Sequence, residues 1–250
     1  MEYEGGHPFY GDAIGILMLD MTAPLIPGNV GNNRSYDFPV RYKVLENVPS
    51  DWWCDAIGPD DSRGEIFVKA AKELEAEGCK AITSGCGFFA IYQKRTAEAL
   101  KIPVFTSPLL MVPMVSRMLG AHSKVGIITA GGERLEKGSF LGDVGIDSSI
   151  PHVIGGLENS EEFFNVHVVE KKKTINPDKM RDEVVTIALD LQSKHPDIGA
   201  FVFECSDLPP FARAVTQATG IPVFDFISMA HLVYRAVEPV QYPPFFAKTR

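Results

Sequence analysis

The chain has 250 residues, 45% hydrophobic and 22% charged, with a formal net charge of −8 at pH 7. That is a globular composition, long enough to bury a core without disulfides or metals. Charges are scattered with no basic patch, and no apolar run approaches a membrane span, which argues against nucleic-acid and membrane partners.

The opening Met1–Gly6 is acidic and lacks the basic-then-apolar layout of a secretion signal. Cys54, Cys79, Cys86 and Cys205 form neither a CxxC pair nor a disulfide framework, and no metal-ligand spacing occurs. A cytoplasmic protein is expected. Ala13–Leu19 reads as a first strand, and Thr22–Arg41, rich in Pro, Gly and Asn, as a long loop after it. Glu65–Glu77 sets Phe67, Ala70, Ala71 and Leu74 on one face and stops at Gly78, which predicts an amphipathic helix. A short buried strand then ends at Cys86, followed by a helix, the strand Ile102-Pro103-Val104-Phe105 and another helix. Val125–Ile128 opens a second series. Asp178–Lys194 is its amphipathic helix and Ile198–Phe203 a strand ending at Cys205; a helix, the strand Ile221-Pro222-Val223-Phe224 and a last helix follow. The tail from Glu238, with Pro239, Pro243 and Pro244, cannot continue as a long helix. It packs either on the body or on a partner subunit of a homo-oligomer.

The two series are one pattern repeated. Cys86 and Cys205, the two IPVF strands, and Ala99 and Ala218 all superpose at one offset of 119 residues. Strand, helix, strand without hairpin signals means a parallel sheet covered on both faces. The expected fold class is α/β: two similar doubly wound parallel-sheet lobes, residues 1–118 plus 222–250 and residues 119–221, with the active site in the cleft between them.

A residue just past a parallel strand sits at the carboxyl edge of the sheet, where ligands bind. A cysteine there, ahead of a helix N-terminus, is expected to have a lowered pKa. Two such cysteines across a cleft suit deprotonation of a carbon on one face and reprotonation on the other, with the amides of Gly87 or Ser206 meeting the developing enolate. The fingerprint G-x-G-x-x-A at Gly85–Ala90 lacks the acid about twenty residues on that a dinucleotide site wants. None of the six histidines marks itself as the base of a cysteine hydrolase, although His231 follows the second IPVF strand and is placed to approach the cleft.

At Gly85-Cys86-Gly87, Glu204-Cys205-Ser206, the strand openings Ile14-Gly15-Ile16 and Val125-Gly126-Ile127, and in its duplication, the chain resembles the aspartate/glutamate racemase superfamily. The resemblance implies a racemase independent of pyridoxal phosphate or any other cofactor, acting on a small carboxylate such as aspartate or glutamate. Cys86 and Cys205 take the acid and base roles. Ser84, Gly85, Gly87, Phe88, Ser206 and Asp207 beside them, with Thr129 and the loop residue Asn33, form the expected substrate-binding set. The family's Asn and Thr after the first cysteine are replaced here by Gly87 and Phe88, and its Thr then Glu or His after the second by Ser206 and Asp207. Hydantoin racemisation and maleate-type isomerisation are the related alternatives, and a non-catalytic small-anion binding protein the unrelated one. Glu204 and Asp207 either assist the chemistry or cap a helix. The run Lys171–Lys173 is either a solvated face or a source of a substrate-binding lysine.

Overall fold

A computed structural model describes residues 6, 10–49, 62–169 and 172–242. It contains two four-stranded parallel sheets. The first holds β1 (Ile14–Asp20), β2 (Val40–Pro49), β3 (Ala81–Ser84) and β4 (Val104–Phe105), in the order β2-β1-β3-β4. The second holds β5 (Lys124–Thr129), β6 (His152–Gly156), β7 (Ile198–Phe203) and β8 (Val223–Phe224), in the order β6-β5-β7-β8. Sheet order therefore repeats as the sequence does. Leu17 pairs with Ser84 in the first sheet and Ile128 with Phe203 in the second, so each cysteine follows its strand end by two residues.

The helices are α1 (Ser62–Ala76), α2 (Gln93–Ala99), α3 (Val112–Met118), α4 (Gly132–Lys137), α5 (Phe140–Asp143), α6 (Glu161–Phe163), α7 (Pro177–Lys194), α8 (Ala212–Thr219) and α9 (Phe226–Val237). Helix α1 buries the four predicted apolar residues and ends ahead of Gly78, whose φ of +97° suits glycine at a helix stop. In α7, Asn176 caps the amide of Lys179 and Pro177 occupies the first turn, while Met180, Val184, Ala188 and Leu191 are buried. None of the described helices is long and apolar enough to cross a membrane.

Alternation along β5 and β7 divides the interior. Val125, Ile127, Ala200 and Val202 point into a core shared with the first lobe; Ile128, Phe201 and Phe203 point the other way, toward Val184, Ala188 and Val215 of α7 and α8. The first lobe thus leans on one face of the second sheet.

Three features differ from the sequence reading. Strand β2 starts inside the expected loop, at Val40; it is an edge strand whose Arg41 and Lys43 pair with Asp12 and Glu73, and those charges hide its strand character. Strand β6 is likewise an unread edge strand. Strand β8 pairs with β7, so the second sheet runs through Phe224 and the return to the first lobe begins at Asp225 and not at 222. There Asp225 and Ser228 form a capping box, and α9 packs back through Phe226, Met229 and a Phe38–Tyr234 ring stack at 3.9 Å. Cys54 and the prolines at 243 and 244 lie outside the described residues.

Candidate active site

The carboxyl edges of the two sheets meet at a small cavity of about 40 Å³, with Cys86 and Cys205 both in its wall. The two cysteine loops are joined directly: the Ser206 hydroxyl donates to the Gly85 carbonyl at 2.7 Å. The loop after β1 lies over this junction. Its Val30 amide donates to the Ser206 carbonyl at 3.3 Å, and its buried Asn29 donates through Nδ2 to Asp207. Gly28, at φ +102°, passes so close to Pro210 that a Cβ would fall 2.8 Å from the proline Cα. On the other side Lys173 reaches the Thr22 hydroxyl.

Gly85, Gly87, Phe88, Ser206 and Asp207 line the cavity. Ser84 is fully buried beneath it, and its hydroxyl lies 2.9 Å from the Cys86 carbonyl and within hydrogen-bond reach of the Thr106 carbonyl. Thr129 is also fully buried and donates to Glu204 Oε2 at 2.8 Å. Asn33 sits exposed on a 3-10 turn outside the lining. Asp20 is exposed at the end of β1. His231 stands by Asp37 and against the Phe38 ring on the first lobe, away from the cavity. Lys172 pairs with the buried Glu162.

The histidine at the cavity is His167, which the sequence did not distinguish from the other five. It lies on a π-helical turn, Phe164–Val168, and its buried ring places Nδ1 3.5 Å from Asp207 Oδ1 without a hydrogen bond. No spacing rule marks such a position, because the contact joins the β6–α7 connection to the loop after β7.

Both thiols are raised, not lowered as expected from their places ahead of helices. Burial is the largest cause for each. For Cys86 the Glu204 charge adds to it, and the Phe88 amide opposes it. For Cys205 the Asp207 and Glu204 charges add to it, and the Asp207 amide opposes it. The helical amides do act in the expected sense, but desolvation and two neighbouring carboxyls outweigh them. Cys205 Sγ donates to Asp207 Oδ2 at 3.5 Å, so its proton already faces an acceptor. Burial also pushes Glu204 up from 4.5 to about 8 against the lowering effect of the Thr129 hydrogen bond. The resting cavity therefore holds two neutral thiols, and no lysine or arginine is among its described lining residues.

No family model matches the chain. It is 30% identical over 227 residues to a dimethylsulfoniopropionate lyase of Durusdinium sp. clade D, covering 89% of this chain and 74% of the relative. It is 30% identical over 223 residues to dimethylsulfoniopropionate lyase 7 of Emiliania huxleyi strain CCMP1516, covering 86% of this chain and 64% of the relative; it spans only part of either protein. Among solved structures it resembles a sulfate-associated mutant of arylmalonate decarboxylase, with a TM-score of 0.62 at 18% identity over 92% of this chain and 96% of that one. A glutamate racemase of Bacillus anthracis gives 0.56 at 13% identity, over 91% and 83% of the two chains. The aspartate racemase of Picrophilus torridus gives 0.54 at 15%, over 91% and 94%. The fold is that of the aspartate/glutamate racemase superfamily.

Proposed function

This chain belongs to the dimethylsulfoniopropionate lyase family, and from that membership we propose that it takes the proton α to a substrate carboxylate and expels a neutral sulfide from the adjacent carbon. The carrying observation is the cavity wall: two thiols and the carboxyls Glu204 and Asp207, with Phe88 and Phe163 as apolar walls and no lysine or arginine among its described lining residues. Such a wall suits a substrate that brings its own positive charge. A sulfonium is attracted both by Asp207 and by the faces of aromatic rings.

Cys205 is the base. Its proton faces Asp207 at rest, and a bound sulfonium supplies the positive charge that favours the thiolate. Once Cys205 has released its own proton to solvent, the thiolate takes the α-proton, the C–H electron pair becomes a carbon–carbon double bond, and the carbon–sulfur pair leaves with sulfur. A propenoate, neutral dimethyl sulfide and a Cys205 thiol result. The sulfide departs without needing a proton, so elimination asks for one base only.

The second reading is racemisation of an acidic amino acid, which draws its support from the placing of both thiols on one cavity with Cys86 raising Cys205. It needs Cys86 as the opposite-face acid. A site for a free small anion fits less well, because the cavity's ionisable lining is mainly acidic.

The deciding experiment incubates the protein with dimethylsulfoniopropionate and, separately, with single enantiomers of aspartate and glutamate in D2O. Dimethyl sulfide in the headspace with propenoate by proton NMR supports the lyase reading. Exchange of an amino-acid α-proton without either product overturns it in favour of racemisation.

A further inference from the structure

A substrate carboxylate in this cavity meets no lysine or arginine among the described lining residues, yet carbon-acid chemistry needs a donor where enolate charge develops. One buried group in the wall has an oxygen to spare. Glu204 has no exposed surface, and its Oε1 has no hydrogen-bond partner among the described residues. Its other oxygen, Oε2, receives the Thr129 hydroxyl at 2.8 Å. The Thr129 oxygen itself accepts the Gly131 amide at 3.3 Å, so its one proton is committed to Glu204. Oε2 is therefore the accepting oxygen, and a proton on this carboxyl resides on Oε1.

The first lobe leaves room for that oxygen. Gly87 packs against it so closely that a Cβ at position 87 would fall 2.2 Å from Oε1 and 2.1 Å from the Glu204 carbonyl oxygen. Only a glycine beside Cys86 leaves the space that this buried carboxyl occupies, at the point where the two cysteine loops meet.

We infer that Glu204 works as a neutral carboxylic acid, donating a hydrogen bond from Oε1 to the substrate carboxylate that strengthens as enolate charge grows there. The inference rests on the carboxylate-substrate reading above and names the group that receives that carboxylate. Burial in a wall that already holds Asp207 favours the neutral form, and the elevation to about 8 agrees with the geometry. The titratable groups sharing the cavity are Asp207, His167, Cys86 and Cys205.

The test compares Glu204→Gln and Glu204→Ala with the wild type. Glutamine accepts from Thr129 through its carbonyl and donates from its amide where Oε1 stood, whereas alanine removes the donor. The expected result is that the wild-type rate falls near pH 8, and that Glu204→Gln keeps roughly a tenth or more of the elimination rate without that fall. Glu204→Ala should lose about 10²–10³-fold. A folded Glu204→Gln as inactive as Glu204→Ala overturns the inference, as does wild-type activity in both.

Two measurements stand apart from turnover. Difference infrared spectra should show a protonated carboxyl band in the wild type that is missing from Glu204→Gln; absence of the band overturns the inference. Calorimetric binding of 3-(trimethylammonio)propionate should weaken above about pH 8 in the wild type but not in Glu204→Gln; parallel curves overturn it. A wild type that binds the analogue in this way but releases no dimethyl sulfide counts against the lyase reading and leaves Glu204 as the carboxylate donor.

Discussion

The Ser206 hydroxyl donates to the Gly85 carbonyl across the two lobes at 2.7 Å. Each residue adjoins a cavity cysteine, so this bond ties the two cysteine loops to each other directly. Replacing Ser206 by alanine leaves the Gly85 carbonyl without that partner and should cost about 1–3 kcal/mol. Thermal or urea denaturation measures the loss. Elimination should fall further than stability, since the cysteine walls are no longer held in register.

Elimination and racemisation make different demands on the two cysteines. With Cys205 as the base, Cys205→Ser should abolish dimethyl sulfide release, whereas Cys86→Ser should retain a measurable fraction, because the departing sulfide needs no acid. Equal and complete loss in both variants would sink the single-base scheme. Headspace assays on folded variants decide between them.

Alkylation reports the thiols directly. Burial and the carboxyl charges raise both, so iodoacetamide should modify Cys86 and Cys205 slowly at neutral pH and faster as pH rises. Asp207→Asn removes the second-largest cause acting on Cys205. Its rate should rise about tenfold for each unit by which the thiol pKa falls, with a smaller rise at Cys86. Residue-resolved mass spectrometry follows both rates.

Glu204 links stability to pH in a defined direction. Its folded value, about 8, lies above the usual 4.5, so the folded state holds the proton through that interval while the unfolded chain has released it. Its stabilising contribution is complete below pH 4.5, declines as pH rises and is lost once pH passes about 8. The total is on the order of a few kcal/mol. Comparing melting temperatures against pH for the wild type and Glu204→Gln should isolate this decline, which the variant lacks.

Gly87→Ala tests the close approach at the cleft. The added methyl meets the Glu204 carbonyl oxygen at 2.1 Å, and backbone cannot rotate aside as a side-chain end can. A loss of about 1–3 kcal/mol is expected, together with loss of activity. Calorimetry and the headspace assay test the pair of outcomes.

The sequence by itself determined the two sheets and the place of one cysteine at the edge of each. Central parallel strands are apolar on both faces, so Ala13–Leu19 and Ile198–Phe203 announce themselves, and the 119-residue offset carries one lobe's pattern onto the other. Edge strands β2 and β6 escaped, because an edge strand that faces solvent mixes charged with apolar residues. The protonation of the site belonged to the tertiary structure alone. Asp207 meets Asn29 from 178 residues away, and Glu204 acts on a thiol in the opposite lobe. Local sequence places the helical amides that lower a thiol pKa, whereas desolvation sums over every segment that closes around it. That sum raised both thiols and Glu204, and the meeting of distant segments brought His167 to Asp207.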